Sequence, residues 1–68
     1  DLKKAEEILK KSLKKIKEFE GPQSINTALA QIKLAEVYVM QDLFEKAKPL
    51  FKKQLIITLN YLKREKGY

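Results

Sequence analysis

KAEEILKKSLKKIKEF, residues 4–19, returns 42 positions later as KAKPLFKKQLIITLNY, residues 46–61. Lys4/Lys46, Ala5/Ala47, Lys10/Lys52, Lys11/Lys53 and Leu13/Leu55 are identical, and Leu2/Phe44, Ile8/Leu50, Leu9/Phe51 and Phe19/Tyr61 exchange like for like. A fixed period in this range marks a helical solenoid, in which each unit hides its apolar face against a neighbour. The chain holds about one and a half such units, which reads as an array cut at a unit boundary.

Working outward, the first copy carries Leu2, Ala5, Ile8, Leu9, Ser12, Leu13, Ile16 and Phe19 at helical spacing, a stripe about 140° wide. Asp1 is placed to cap this helix, and Gly21-Pro22 ends it, because glycine accepts left-handed geometry and proline cannot continue the ladder. Seven lysines, interleaved with Glu6, Glu7 and Glu18, take the solvated face. Between the copies, Ile25, Ala28, Leu29, Ala30, Ile32, Leu34, Ala35, Val37, Tyr38, Val39 and Met40 spread around most of the wheel, the pattern of a sandwiched helix. Ser24 suits its N-cap, and Ala28 and Ala35 let another helix come close.

Asp42-Leu43-Phe44-Glu45 reads as a capping-box variant that starts a third helix, with Asp42 accepting from the first-turn amides. Pro49 removes one hydrogen bond there, so a mild bend or an early 3₁₀ turn is expected rather than a break. The third helix is over-supplied with apolar residues: where the first copy has Lys14 and Lys15, the second has Ile56 and Ile57. A terminal solenoid helix needs a polar outer face, so Ile56, Ile57, Leu59 and Leu62 are expected to form an association surface. A further repeat, a second copy of the chain in a homo-oligomer, or a bound partner would cover it.

Composition narrows the function classes. Sixty-eight residues make one domain, which buries only about 60% of the surface its unfolded chain exposes. Without cysteine or histidine, the usual zinc, thiolate and catalytic-base constellations are absent, and the carboxylates form no paired motif, so no enzyme, metal or cofactor is expected. The net charge of +6 is uneven: +2 over residues 1–20, −1 over 21–42 and +5 over 43–68. Arginine is nearly absent and aromatics are not interleaved with the lysines, which argues against specific nucleic-acid binding. Membrane-surface binding by the first helix fares no better, because its stripe lacks tryptophan and is already assigned to the helical core. No apolar run approaches the roughly 18 residues of a membrane span, and residues 1–4 open no signal peptide, so a soluble cytoplasmic chain is the expectation. A start without methionine and the end Lys66-Gly67-Tyr68 read as an excised or engineered segment.

Leu34-Ala35-x-x-Tyr38, Phe44-x-x-Ala47 and Pro49-Leu50-Phe51-Lys52-Lys53-x-Leu55, echoed by Lys4-Ala5-Glu6-x-Ile8-Leu9-Lys10-Lys11-Ser12-Leu13, together resemble a tetratricopeptide repeat. The spacing is similar to the 42-residue variety of kinesin light chain. The resemblance implies an all-α fold of three antiparallel helices in which residues 1–20 are the second helix of a preceding unit and residues 23–64 one complete unit. It also implies that Ala35 and Ala47 mark the helix crossing and that Tyr38 and Phe51 fill the gap beside it. Four positions depart from the family: Asp42 stands where glycine is common, Gln54 replaces a small residue, and Ile32 and Lys33 replace an asparagine pair of peptide-holding grooves.

The family's usual business, interaction with proteins, implies that the second helix lines a concave surface. Ile25, Leu29, Ile32, Lys33, Glu36, Val39 and Met40 share the side opposite Ala35 and Tyr38. This apolar stripe with one charge of each sign favours docking of a partner helix or peptide over capture of a charged terminus. The alternatives are that these residues pack on neighbouring repeats, and that the chain is a structural, self-associating fragment driven by its third helix.

Overall fold

The computed structural model describes residues 1–66, with side chains to Arg64; Gly67 and Tyr68, part of the chain end read above, lie outside the described residues. Three helices follow in order: α1, Leu2–Glu20; α2, Ile25–Met40; α3, Phe44–Lys66. They form a flat body of 43 × 24 × 13 Å. The middle helix packs on both others, while α1 and α3 bring no pair of Cα atoms within 8 Å of each other.

The helix ends follow the local chemistry. Asp1 caps α1, its carboxylate accepting from the Lys3 and Lys4 amides at 2.9 and 3.4 Å. Gly21 closes it at φ 90°, donating to the Lys17 carbonyl at 2.9 Å. Ser24 caps α2 by accepting from the Thr27 amide at 3.0 Å. Thr27, fully buried, ties the same turn: its hydroxyl donates to the Gly21 carbonyl at 2.8 Å and accepts from the Ser24 hydroxyl at 2.9 Å.

The second turn differs from the capping-box expectation. Asp42 adopts φ 62°, its amide donates to the Val39 carbonyl at 2.9 Å, and the Leu43 amide donates to Tyr38 at 2.8 Å. Those two bonds are a Schellman closure of α2 with Asp42 at its left-handed position, so the residue ends one helix instead of capping the next. Leu43 takes the starting role for α3, its carbonyl accepting from Lys46 and Ala47. A left-handed Asp is tolerated but strained, so Asp42→Gly is expected to stabilise the fold by about 0.5 kcal/mol and raise its melting temperature by a few degrees, read by circular dichroism. Pro49 sits inside an uninterrupted α3, with no 3₁₀ turn. Near the helix start its missing donor frees only the exposed Glu45 carbonyl.

Leu13, Ala30, Leu34, Ala35, Tyr38 and Ala47 make the core, with Leu9, Ile16, Leu43 and Leu50 packed against it. Ala35 is 0% and Ala47 2% exposed, so the crossing of α2 and α3 is built on two methyl groups. Tyr38 is buried beside them, but Phe51 is exposed, contrary to the expectation that both fill the gap. Phe51 follows Leu50 by one residue, about 100° around the helix, and Leu50 takes the inward place.

The outer helices are half covered. In α1, Leu9, Leu13 and Ile16 face α2, while Ile8 and Phe19 on the flank of the same stripe stay exposed. In α3 the inward side holds Ala47, Leu50 and Ile57, and Phe44, Phe51, Leu55, Leu59 and Leu62 are exposed. Ile57, 5% exposed, is therefore a core residue and not part of an outer surface with Ile56. Adjacent residues lie about 100° apart around a helix, and here the inward place went to Ile57 while Ile56 stayed half exposed.

Candidate functional site

Residues of α2 divide cleanly by helical angle. Thr27, Ala28, Ala30, Gln31, Leu34, Ala35, Val37 and Tyr38 are buried between α1 and α3. The remaining arc carries Ile25, Leu29, Lys33, Glu36, Val39 and Met40, all exposed, with Ile32 half-buried at its edge. The seven residues read from sequence thus share one outward face.

Leu29 is the ridge of that face. On one side lies a trough of about 400 Å³ between α1 and α2, walled by Leu9, Ile16, Ala30 and Lys33. On the other is a smaller one of about 210 Å³ between α2 and α3, walled by Ile25, Ile32, Ile57 and Tyr61. Leu29 itself is 51% exposed and Met40 61%. Both troughs are largely apolar, with Ser12, Glu20 and Asn26 also lining the first and Gln54 and Thr58 the second; two such troughs beside a ridge suit rows of side chains spaced along a helix. Among the described residues there is no cluster of metal-ligating side chains, and no helix is long and apolar enough to cross a membrane.

Electrostatic structure concentrates at the opposite end of the α1–α2 contact. The Lys10 ammonium lies 3.0 Å from the Glu6 carboxylate, and the Gln41 side-chain amide donates to the same carboxylate at 3.1 Å. Lys10 and Lys46 also approach the Tyr38 ring, at 6.0 and 5.8 Å from its centroid. Hydrogen bonds from Lys10 first and Gln41 second hold the Glu6 carboxyl below its ordinary value, and the hydrogen bond to Glu6, then Tyr38, raises Lys10. A carboxyl lowered by folding contributes stability above its unfolded pKa and loses it as pH falls through the folded value; a raised lysine contributes below its unfolded pKa and loses it as pH rises through the folded one. Glu6→Gln is therefore expected to flatten the acid limb of the melting-temperature profile while leaving the neutral plateau within a few degrees.

The sequence-read association surface is only partly assembled. Leu59 and Leu62 lie with Phe44, Phe51 and Leu55 on the exposed side of α3, Ile56 turns toward the opposite cleft, and Ile57 is buried. Phe44, Phe51 and Leu55 were not among the residues read for that surface, although one signal marks them. Shifting the α1 residues Leu2, Leu9 and Leu13 by the 42-residue period lands on them.

Helical hairpins with a small-residue crossing, a doubly packed middle helix and an apolar outward face define an α-helical repeat protein. The family profile of the tetratricopeptide repeat matches residues 1–55, and the chain belongs to that family. No curated protein and no solved structure matches it significantly. Tetratricopeptide repeats generally mediate protein–protein interaction and are typically non-catalytic scaffold modules.

Proposed function

We propose that the chain is a scaffold or adaptor element that docks an amphipathic helix of a partner protein on the outward face of α2. The observation that carries this reading is the ridge of Leu29 between two apolar troughs, continued by Ile25, Ile32, Val39 and Met40. Lys33 and Glu36 on the same face set the register of a helix bearing complementary charges. The test uses an amphipathic Leu/Lys/Glu helical peptide as probe. Leu29→Lys with Val39→Lys, both outward, is expected to leave helicity and melting temperature nearly unchanged and to weaken calorimetrically measured binding by at least about thirtyfold. Unchanged affinity contradicts the reading.

A second reading concerns the two uncovered helical flanks. By the 42-residue register, α1 and α3 are equivalent helices that use different sides: α1 meets α2 through Leu9 and Leu13, whose counterparts Phe51 and Leu55 are exposed on α3. Conversely, Ala47, Leu50 and Ile57 of α3 face α2, and Ile8, the counterpart of Leu50, is exposed on α1. Each outer helix thus presents the side on which an α2-like helix would sit, which favours residues 23–64 as one 42-residue unit flanked by further tetratricopeptide units, or self-association where none is present. Both readings suit a cytoplasmic adaptor.

A further inference from the structure

The seat of α2 on α1 recurs on the uncovered flank of α3 with one charge reversed. On α1, Leu9 and Leu13 pack into the shared core, and Glu6 is drawn into the contact beside them. Its side chain is only 14% exposed, held by Lys10 at 3.0 Å and by the side-chain amide of Gln41, the C-cap of α2, at 3.1 Å. Shifted by the 42-residue period, Leu9 and Leu13 become Phe51 and Leu55, Lys10 becomes Lys52, and Glu6 becomes Lys48. The apolar places and the outer cation are kept, while the inner place changes from anion to cation. Lys48 is 76% exposed, and its ion pair with Glu45, itself almost fully exposed, is 3.9 Å long.

We propose that the uncovered flank of α3 takes the first helix of a further tetratricopeptide unit, and that this helix carries an Asp or Glu where α2 carries Gln41, paired with Lys48. The proposal rests on the uncovered-flank reading and specifies the chemistry of what sits there. A helix seated on Phe51 and Leu55 as α2 is seated on Leu9 and Leu13 encloses Lys48 as α2 encloses Glu6. An ammonium enclosed without an anion is costly, and Lys48 and Lys52 lack the mutual neutralisation that Glu6 and Lys10 give each other. Gln41 suits a carboxylate because its amide donates to one. To a lysine it offers only a neutral carbonyl, whereas a carboxylate in its place accepts a stronger, charge-assisted bond. The same difference selects against a second copy of this chain, whose α2 ends in Gln41 and already packs on its own α1 and α3.

The experiment titrates the full chain into fluorescently labelled, C-amidated peptides of residues 24–42, the α2 segment, unchanged or with Gln41→Glu or Gln41→Lys, and reads affinity by anisotropy. The native chain is expected to bind the Gln41→Glu peptide about tenfold more tightly than the unchanged one, and the Gln41→Lys peptide most weakly. Lys48→Glu in the chain should reverse the order of the two substituted peptides. Lys53→Glu makes the same change of net charge beside Ile56 in the opposite cleft; it should keep the order and alter each affinity by no more than about twofold. Equal affinity for the Gln41→Glu and unchanged peptides, both lost with Leu55→Lys, would overturn the carboxylate pairing and leave the uncovered-flank reading in place. Binding of none of the peptides, or binding indifferent to Leu55→Lys, would overturn both. Reversal of the order by Lys53→Glu as well as by Lys48→Glu would reduce the effect to net charge and overturn the proposal.

Discussion

Leucine in place of Ala35 is expected to lower stability by about 2–3 kcal/mol and the melting temperature by roughly 10 °C or more. Ala35 has no exposed surface and lies in the core with Ala47, where α2 and α3 pack against each other. Three added heavy atoms have nowhere to go unless the helices separate, and separation strips contacts from Tyr38, Leu34 and Leu50 together. A domain of this length has a total stability of only several kcal/mol, about 0.05–0.15 per residue, so the loss is a large share of it. Ala35→Gly serves as the contrast: it keeps the close approach and costs about 1 kcal/mol through helix propensity. Thermal unfolding followed by circular dichroism should rank them native, glycine, leucine. Leucine at native stability would mean that α2 and α3 do not cross at Ala35.

The self-association proposed for the uncovered flanks is expected to be abolished by Phe51→Lys combined with Leu55→Lys, with the three-helix fold left in place. Both side chains are exposed on α3, at 41% and 56%, on the side that corresponds to the α2-facing side of α1. Covering such residues contributes about 1.5–3 kcal/mol each, so losing two should reduce an association constant by about a hundredfold or more. Light scattering on a dilution series reads this as a molar mass held at that of one 8.0 kDa chain. Ile57→Lys behaves differently: a lysine forced into a position only 5% exposed unfolds α3 from α2 instead of solubilising it. Association that persists in the double variant at native strength would contradict the uncovered-flank reading.

How much of this was legible in the sequence depended on which interactions were local. Asp1, Ser24 and Gly21 act within a few residues of their own position, and each stands where its side chain or its lack of one predicts. The alanine crossing was readable because small residues at matching positions of two helices have few other uses. Asp42 misled because an aspartate before a helix suits an N-cap as well as a left-handed turn, and only the bonds to Val39 and Tyr38 decide. Ile56 and Ile57 were grouped by comparison with Lys14 and Lys15, which ignored the turn of about 100° between adjacent residues. Gln31 and Thr27 give no warning of their burial, since a polar residue in a helix that is apolar around most of its wheel looks solvated until two helices close over it. The outward face of α2 was readable as a stripe, whereas the troughs beside Leu29 arise only when α1 and α3 take their places.

The most direct check on the central claim, that a partner docks on the outward face of α2, is site-specific photo-cross-linking. A benzophenone amino acid replaces Leu29 in one version of the chain, Phe51 in a second and Lys14, exposed on α1, in a third. The account predicts protein adducts at Leu29 whose cross-linked peptides, mapped by mass spectrometry, are amphipathic helices from a partner; at Phe51 it predicts tetratricopeptide segments, and at Lys14 none. Adducts at Lys14 as abundant as those at Leu29, or amphipathic partner helices captured at Phe51 and absent from Leu29, would contradict it.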